Sequence, residues 1–323
     1  MSKPIRWGIL GPGRIAGLFT TDLAKVEDAV RLAVGSRSQE RAAEFAAKHG
    51  FQRAYGSYEE LARDPEVDAV YVASPHPFHK EHAILCMEHG KAVLCEKPME
   101  INAQRVREMA ACARANGVFL MEAMWTRFNP TVVQARRWLA EGAIGEPRLL
   151  TADFGFRTAW NPQSRLLNPE LGGGALLDVG VYVVAFAYMV MGAPKTLQVT
   201  GHVGETGVDE QVELLLGYEG GRAAQLACAV RVSTPQEARI DGTEGSIYLP
   251  AFWHGAKAIL RRPGQEPVEW EGEWGYRFEA MEVMECLRAG KKESAVMPLD
   301  ESIAIAETLE QARRSLGVRY PME

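Results

Sequence analysis

"WGILGPGRIAG", residues 7–17, is the stretch that decides the fold. An apolar run stops at Gly11-Pro12-Gly13 and passes directly into a helical pattern through Arg14, Ile15 and Ala16. Gly11-x-Gly13-x-x-Ala16 is the spacing of a loop that cradles a pyrophosphate. Gly11 permits the tight turn, Gly13 removes the side chain that would hold a phosphate away, and a small residue at 16 lets helix and strand pack closely. The helix beyond offers free N–H groups and the positive end of its dipole to an anion. The motif carries weight only in a strand–turn–helix setting, which is the setting here. Gly11, Gly13, Arg14 and Ile15 are therefore expected to hold a dinucleotide.

Working outward, the apolar runs "IRWGIL", "RLAVGS", "AVYVAS", "KAVLCE" and "GVFLME" alternate over residues 5–122 with amphipathic stretches such as "SQERAAEFAAKHG" and "NAQRVREMAACARANG". That alternation predicts a doubly wound parallel sheet covered by helices on both faces, an α/β domain of the Rossmann kind over residues 1–123. From residue 124 the pattern changes. A helix, "TVVQARRWLAEGA", precedes an irregular stretch and an apolar helix near Gly174. Consecutive strands follow, among them the hairpin "EQVELLLGY"–"GRAAQLACAVRV", and two closing helices. Residues 124–323 read as an α+β domain with a large, mostly antiparallel open sheet.

A chain of 323 residues is long enough for two cores, since single cores stop growing at about 250–300 residues. A net charge of −6 with no Lys/Arg block argues against nucleic acid and anionic membrane as partners and for a small-molecule ligand. The five cysteines are scattered, with no Cys-x-x-Cys pair, which suggests neither a disulfide framework nor a zinc site. The opening residues lack signal-peptide architecture, and the longest uncharged apolar run, 179–193, is 15 residues, short of the ~18 of a membrane span. A cytoplasmic protein is expected.

The end of the second strand reads Gly35-Ser36-Arg37-Ser38. An NAD-binding loop carries an acid here for the ribose hydroxyls; Arg37 suits a 2′-phosphate instead, with Ser36 and Ser38 as hydrogen-bonding partners and Arg41 as a second charge. NADP is expected, with NAD use left open. Ser74 and His76, after the fourth strand, edge the same site. Glu96-Lys97-Pro98 falls at the carboxyl end of the fifth strand, where open α/β sheets bind ligands. In "GALLDVGVYVVAF", residues 174–186, Asp178 and Tyr182 stand four apart in an otherwise apolar helix, on one face. His79 and His82 have no third ligand nearby and read as structural, with no metal expected. Phe154, Trp160 and Trp253 are candidates for an apolar wall against a sugar or ring, or for core aromatics.

The "GPGRIA" loop, the "EKP" after the fifth strand and the "GGGALLDVGVY" segment together resemble the Gfo/Idh/MocA oxidoreductases, over essentially the whole chain. Within that family "MEAMWTRFNP" and a tyrosine at 182, where many relatives carry histidine, are most similar to the dimeric dihydrodiol dehydrogenase and NADP-dependent xylose dehydrogenase branch. The resemblance implies hydride transfer between a nicotinamide and a vicinal diol or aldose, or another sugar or cyclitol. It implies Tyr182 as proton carrier, Lys97 as the charge that makes a phenol of pKa about 10 usable, and Asp178 as partner of a substrate hydroxyl or of Lys97. Either Lys97 or Tyr182 could be the proximate acid. It also places Trp125 and Arg127 beside cofactor or substrate. A non-catalytic NADP-binding regulator is disfavoured by the presence of both Lys97 and Tyr182. The unpartnered face of the second sheet predicts a homodimer.

Overall fold

The computed structural model describes residues 3–323, and chain contacts divide it into two units: residues up to Trp125 with Gly275–Ile303, and Thr126–Trp274 with Ala304–Glu323. The first unit is built on six strands: β1 (Ile5–Leu10), β2 (Ala29–Gly35), β3 (Arg53–Tyr55), β4 (Ala69–Val72), β5 (Ala92–Glu96) and β6 (Leu120–Ala123). They are all parallel, in the order β3-β2-β1-β4-β5-β6. Every residue of β4, β5 and β6 is buried, as expected of strands covered on both faces. Helices α1 (Arg14–Leu23), α2 (Gln39–His49), α3 (Tyr58–Arg63), α4 (His79–Glu88) and α5 (Ala103–Asn116) connect them. Ser38, Ser57 and Asn102 cap the starts of α2, α3 and α5 through their side chains. The order reverses between β1 and β4, which opens a crevice at their carboxyl ends.

The second unit contains α6 (Pro130–Ala140), β7 (Pro147–Gly155), α7 (Val181–Met191) and the strands β8 (Thr196–Val203), β9 (Asp209–Gly217), β10 (Ala223–Ala229), β11 (Ala238–Gly242), β12 (Ser246–Leu249), β13 (Lys257–Arg261) and β14 (Val268–Glu271). They form an eight-stranded sheet in the order β14-β13-β12-β11-β7-β10-β9-β8. All pairs are antiparallel except β7 with β10. The 18-residue apolar window within Pro169–Met191 has mean hydropathy 1.9, yet 89% of it is buried, which makes it the core helix of this unit.

Register shows why one face of this sheet is core and the other is not. Ile240, Leu150, Ala224, Leu216 and Leu197 run side by side across β11, β7, β10, β9 and β8; four of them are buried and Leu197 is half-buried. The next row, Arg239, Thr151, Gln225, Leu215 and Gln198, is exposed throughout. Alternation of period two thus sends β9 and β10 leucines to one side, with Leu215 left in solvent.

Two features depart from the sequence reading. The chain returns to the first unit at Gly275, whereas a single division between 123 and 124 was expected. The returning helix α8 (Arg277–Arg288) is held by Asp22, which accepts from the Arg277 backbone N–H at 3.2 Å, and the segment after it by Leu120, whose N–H donates to the Lys292 carbonyl. Helix α9 (Leu299–Ser315) straddles the division. The apolar helix also does not begin as an α-helix: Leu176–Gly180 form a π-turn before α7.

Candidate active site

The glycine-loop candidates lie in the first unit. Gly11 has φ +87°, and a Cβ there would sit 3.2 Å from the Ala73 carbonyl and Ser74 nitrogen, so the β1 turn presses against the loop after β4 and only glycine fits. Gly13 is exposed and precedes α1 with no side-chain cap, and a Cβ there would meet nothing closer than 4.0 Å. An open glycine before uncapped helix N–H groups is the geometry a pyrophosphate fills. Arg14 is exposed and Ile15 half-buried at the same turn.

At the end of β2 the Ser36 hydroxyl accepts from the Ser38 N–H (3.3 Å), and the Ser38 hydroxyl accepts from the Arg41 N–H (3.3 Å). Both hydroxyls keep a proton to donate. Arg37 and Arg41 are exposed beside them. Arg37 and His79 both bear on His82, whose pKa burial and those charges lower to about 4. The His82 ring is therefore neutral beside the Arg37 guanidinium.

Lys97 follows β5, half-buried, in a cis peptide with Pro98. Its neighbour Glu96, expected in the cofactor set, turns into the unit instead. One carboxylate oxygen accepts from Tyr71 and the other from the Lys97 N–H (3.1 Å). Burial holds the Glu96 carboxyl above its ordinary pKa against the pull of Lys97 and Tyr71. His79 bridges the Ser74 carbonyl (2.7 Å) and the Pro98 carbonyl (2.9 Å), joining the β4 loop to the Lys97 turn. Ser74 Oγ meets His82 Nδ1 at 2.9 Å, and the His76 ring lies 5.8 Å from that of His79. Both histidines therefore have structural partners. Trp125 is buried with its ring 4.8 Å from Tyr276.

The second unit carries the remaining candidates. Asp178 sits in the π-turn, 6% exposed, and accepts from Arg165 Nη1 at 2.6 Å. Such turns widen one coil of a helix and recur at functional sites. Tyr182 opens α7, its ring 5.3 Å from Phe154, which in turn stacks on Trp253 at 4.7 Å and 18°. The helix start is held from beneath by Asp209, which is fully buried and accepts from Leu176 N–H at 2.6 Å. Gly174 has φ +119°, and a Cβ there would stand 2.4 Å from the Asp209 carboxylate. Tyr320 Oη donates to the Gly173 carbonyl at 2.6 Å.

Two further expected residues have partners within the protein. Trp160 is 45% exposed under the Arg231 guanidinium, and the buried Arg127 donates to the Ala185 carbonyl of α7 at 2.7 Å. Arg165, Asp209, Gln236 and Tyr276 carried no sequence signal, because each acquires its partner only through the tertiary fold.

Residues 5–124 match the model of an oxidoreductase family with an NAD-binding Rossmann fold, and residues 132–248 match the GFO/IDH/MocA C-terminal domain. The chain is 43% identical to trans-1,2-dihydrobenzene-1,2-diol dehydrogenase of Mus musculus over 99% of both chains. Among solved structures it resembles a 3-ketoreductase from Actinomadura kijaniata in complex with NADP and TDP-benzene (TM-score 0.83, 27% identity, 97% of this chain and 98% of that one). In fold it also resembles the aldose-aldose oxidoreductase from Caulobacter crescentus (TM-score 0.88, 24% identity, 98% of this chain and 100% of that one).

Proposed function

The chain belongs to the Gfo/Idh/MocA oxidoreductases, and on that premise we propose that it transfers hydride between NADP and a vicinal diol or an aldose. The observation that carries the substrate class is its 43% identity, end to end, with a trans-1,2-dihydrobenzene-1,2-diol dehydrogenase. The choice of NADP rests on Arg37, with Ser36, Ser38 and Arg41, where an NAD site has an acid.

Gly11, Gly13 and the first turn of α1 would hold the pyrophosphate, and the Ser36–Arg41 segment the 2′-phosphate. When bound, the nicotinamide accepts hydride in oxidation and supplies it in reduction. The chain's own part is the proton. Tyr182 Oη takes it from the substrate hydroxyl or returns it to the carbonyl oxygen, so charge is neutralised as it develops. Lys97 serves the same oxygen, its ammonium favouring the state in which the phenol gives up its proton. Asp178, oriented by Arg165, accepts from the neighbouring substrate hydroxyl, which suits a substrate with two adjacent oxygens. Phe154 and Trp253, stacked on each other beside Tyr182, would form the wall against the substrate's carbon skeleton.

The test is absorbance at 340 nm with NADP or NAD against aldoses, inositols and trans-dihydrodiols. Lys97→Met and Tyr182→Phe should each lower kcat by about 100-fold or more while NADPH titration by fluorescence is unchanged. Parent-like turnover in both variants would overturn the assignment. We also assign the protein to the cytoplasm, on five unpaired cysteines of which four are buried, a placement that cell fractionation tests. Its assembly is a homodimer through the exposed row of the eight-stranded sheet.

A further inference from the structure

The aromatic wall beside Tyr182 hangs on one strained residue. Gln236, between β10 and β11, has φ +63°; with Ala251 (φ +51°) it is one of two non-glycine residues with positive φ among the described residues. That region is unfavourable for a side chain with a Cβ and persists only where the surroundings over-determine it. The two strained residues lie together, because the Phe252 N–H donates to the Gln236 carbonyl at 3.0 Å.

Every polar group of Gln236 is engaged. Its N–H donates to the Asp153 carboxylate (2.6 Å), its side-chain amide donates to the Gly155 carbonyl (2.7 Å), and its amide oxygen accepts from the Trp253 indole N–H (2.9 Å). An indole has one donor, so this bond fixes the ring's rotation in its own plane. The ring so fixed is the one stacked on Phe154, whose other neighbours are Tyr182 (5.3 Å) and Phe252 (6.4 Å, edge-on). Glycine or asparagine would occupy this φ with less strain. Glycine lacks the amide, and asparagine is one methylene short of spanning Gly155 and Trp253. The strain is retained where only a glutamine side chain makes both contacts.

We propose that Gln236 is a specificity-determining positioning residue, which holds the Trp253–Phe154 stack beside Tyr182 so that substrates presenting a flat apolar ring face are preferred. The inference rests on the reading of Tyr182 as the proton carrier. Gln236→Gly separates positioning from folding, because it removes the amide while relieving the backbone. Its melting temperature should stay within about 4 °C of the parent. The ratio of kcat/KM for trans-1,2-dihydrobenzene-1,2-diol over that for D-xylose, both with NADP, should fall about tenfold, through KM of the diol rather than kcat. Gln236→Asn, which tolerates the backbone but cannot span the two contacts, should behave alike. An unchanged ratio, or an equal loss on both substrates in step with a lowered melting temperature, overturns the proposal. Tyr182→Phe is run beside them. If it turns over like the parent, the site reading has failed on its own account. Calorimetric binding of catechol to the NADP-loaded protein then decides for Gln236: about tenfold weaker binding in Gln236→Gly supports it, and equal binding refutes it.

Discussion

Arg37 is where the choice between two cofactors comes down to one side chain. It is exposed at the end of β2, flanked by two serine hydroxyls whose oxygens are occupied by backbone N–H groups and whose protons are available. A charge-assisted hydrogen bond contributes roughly 1.5–3 kcal/mol. Arg37→Asp should therefore weaken NADP binding about 10- to 100-fold, leaving NAD binding equal or tighter because the new acid accepts from ribose hydroxyls. Fluorescence titration with both cofactors checks this, and parallel losses for the two would move the 2′-phosphate away from Arg37. Arg37 could be singled out from sequence because the role proposed for it comes from the distance to a glycine loop in the same βαβ unit. For Glu96 the sequence misled: its position at the end of β5 suggested the cofactor groove, and only the packing of Tyr71 shows its carboxylate turned inward. Arg165 and Gln236 lie in stretches without period, and they act through partners 13 and 17 residues away, Asp178 and Trp253.

The helix that carries Asp178 and Tyr182 shows what determines an element's start. Burial raises the Asp209 carboxyl from 3.8 to about 7, against the lowering effects of the Leu176 and Ala175 N–H groups and of Arg313. Tyr320 and Cys228 are the other titratable groups that feel its charge. A folded-state value above the unfolded one means the native protein holds this proton between about pH 4 and 7. The associated stability is complete below that window and is lost as pH rises through it. Asp209→Asn cannot ionise, so its melting temperature minus the parent's should climb from pH 4 to pH 7 and level off above. A difference flat across that range, read by calorimetry, would remove Asp209 from the account. Elements with a buried stripe or a glycine stop were legible: α2 and α5 end at Gly50 and Gly117, both left-handed. Four strands escaped notice. β3 has three residues, β14 is an edge with three of four residues exposed, and β8 has no fully buried residue, whereas β7 alternates exposed and buried over Leu149–Ala152 and was passed over between a helix and an irregular stretch. The π-turn has no signature in a run whose residues are all apolar or small except Asp178.

At the scale of the whole molecule, the alternation of strands and helices was enough to announce a parallel sheet followed by an antiparallel one. It said nothing of the return at Gly275, because α8 is an amphipathic helix that either unit could have used. The proposed homodimer rests on the second face of the large sheet. Leu215 and Leu149 stand 39% and 52% exposed on it, in and beside a row shared by five strands, over a concavity of about 590 Å³ lined by residues such as Thr151, Gln225 and Glu213. A stable interface buries ~800 Å² per partner, and a two-fold axis through this face would set each leucine against its own copy's surface. Sedimentation should give twice the 35.6 kDa chain mass at micromolar concentration. Leu215→Glu with Leu149→Glu should return the single-chain mass, since like charges would face one another in a desolvated patch. A monomer that keeps a parent-like melting temperature supports the sheet as the interface, whereas a dimer that survives both glutamates in sedimentation places the contact on another surface.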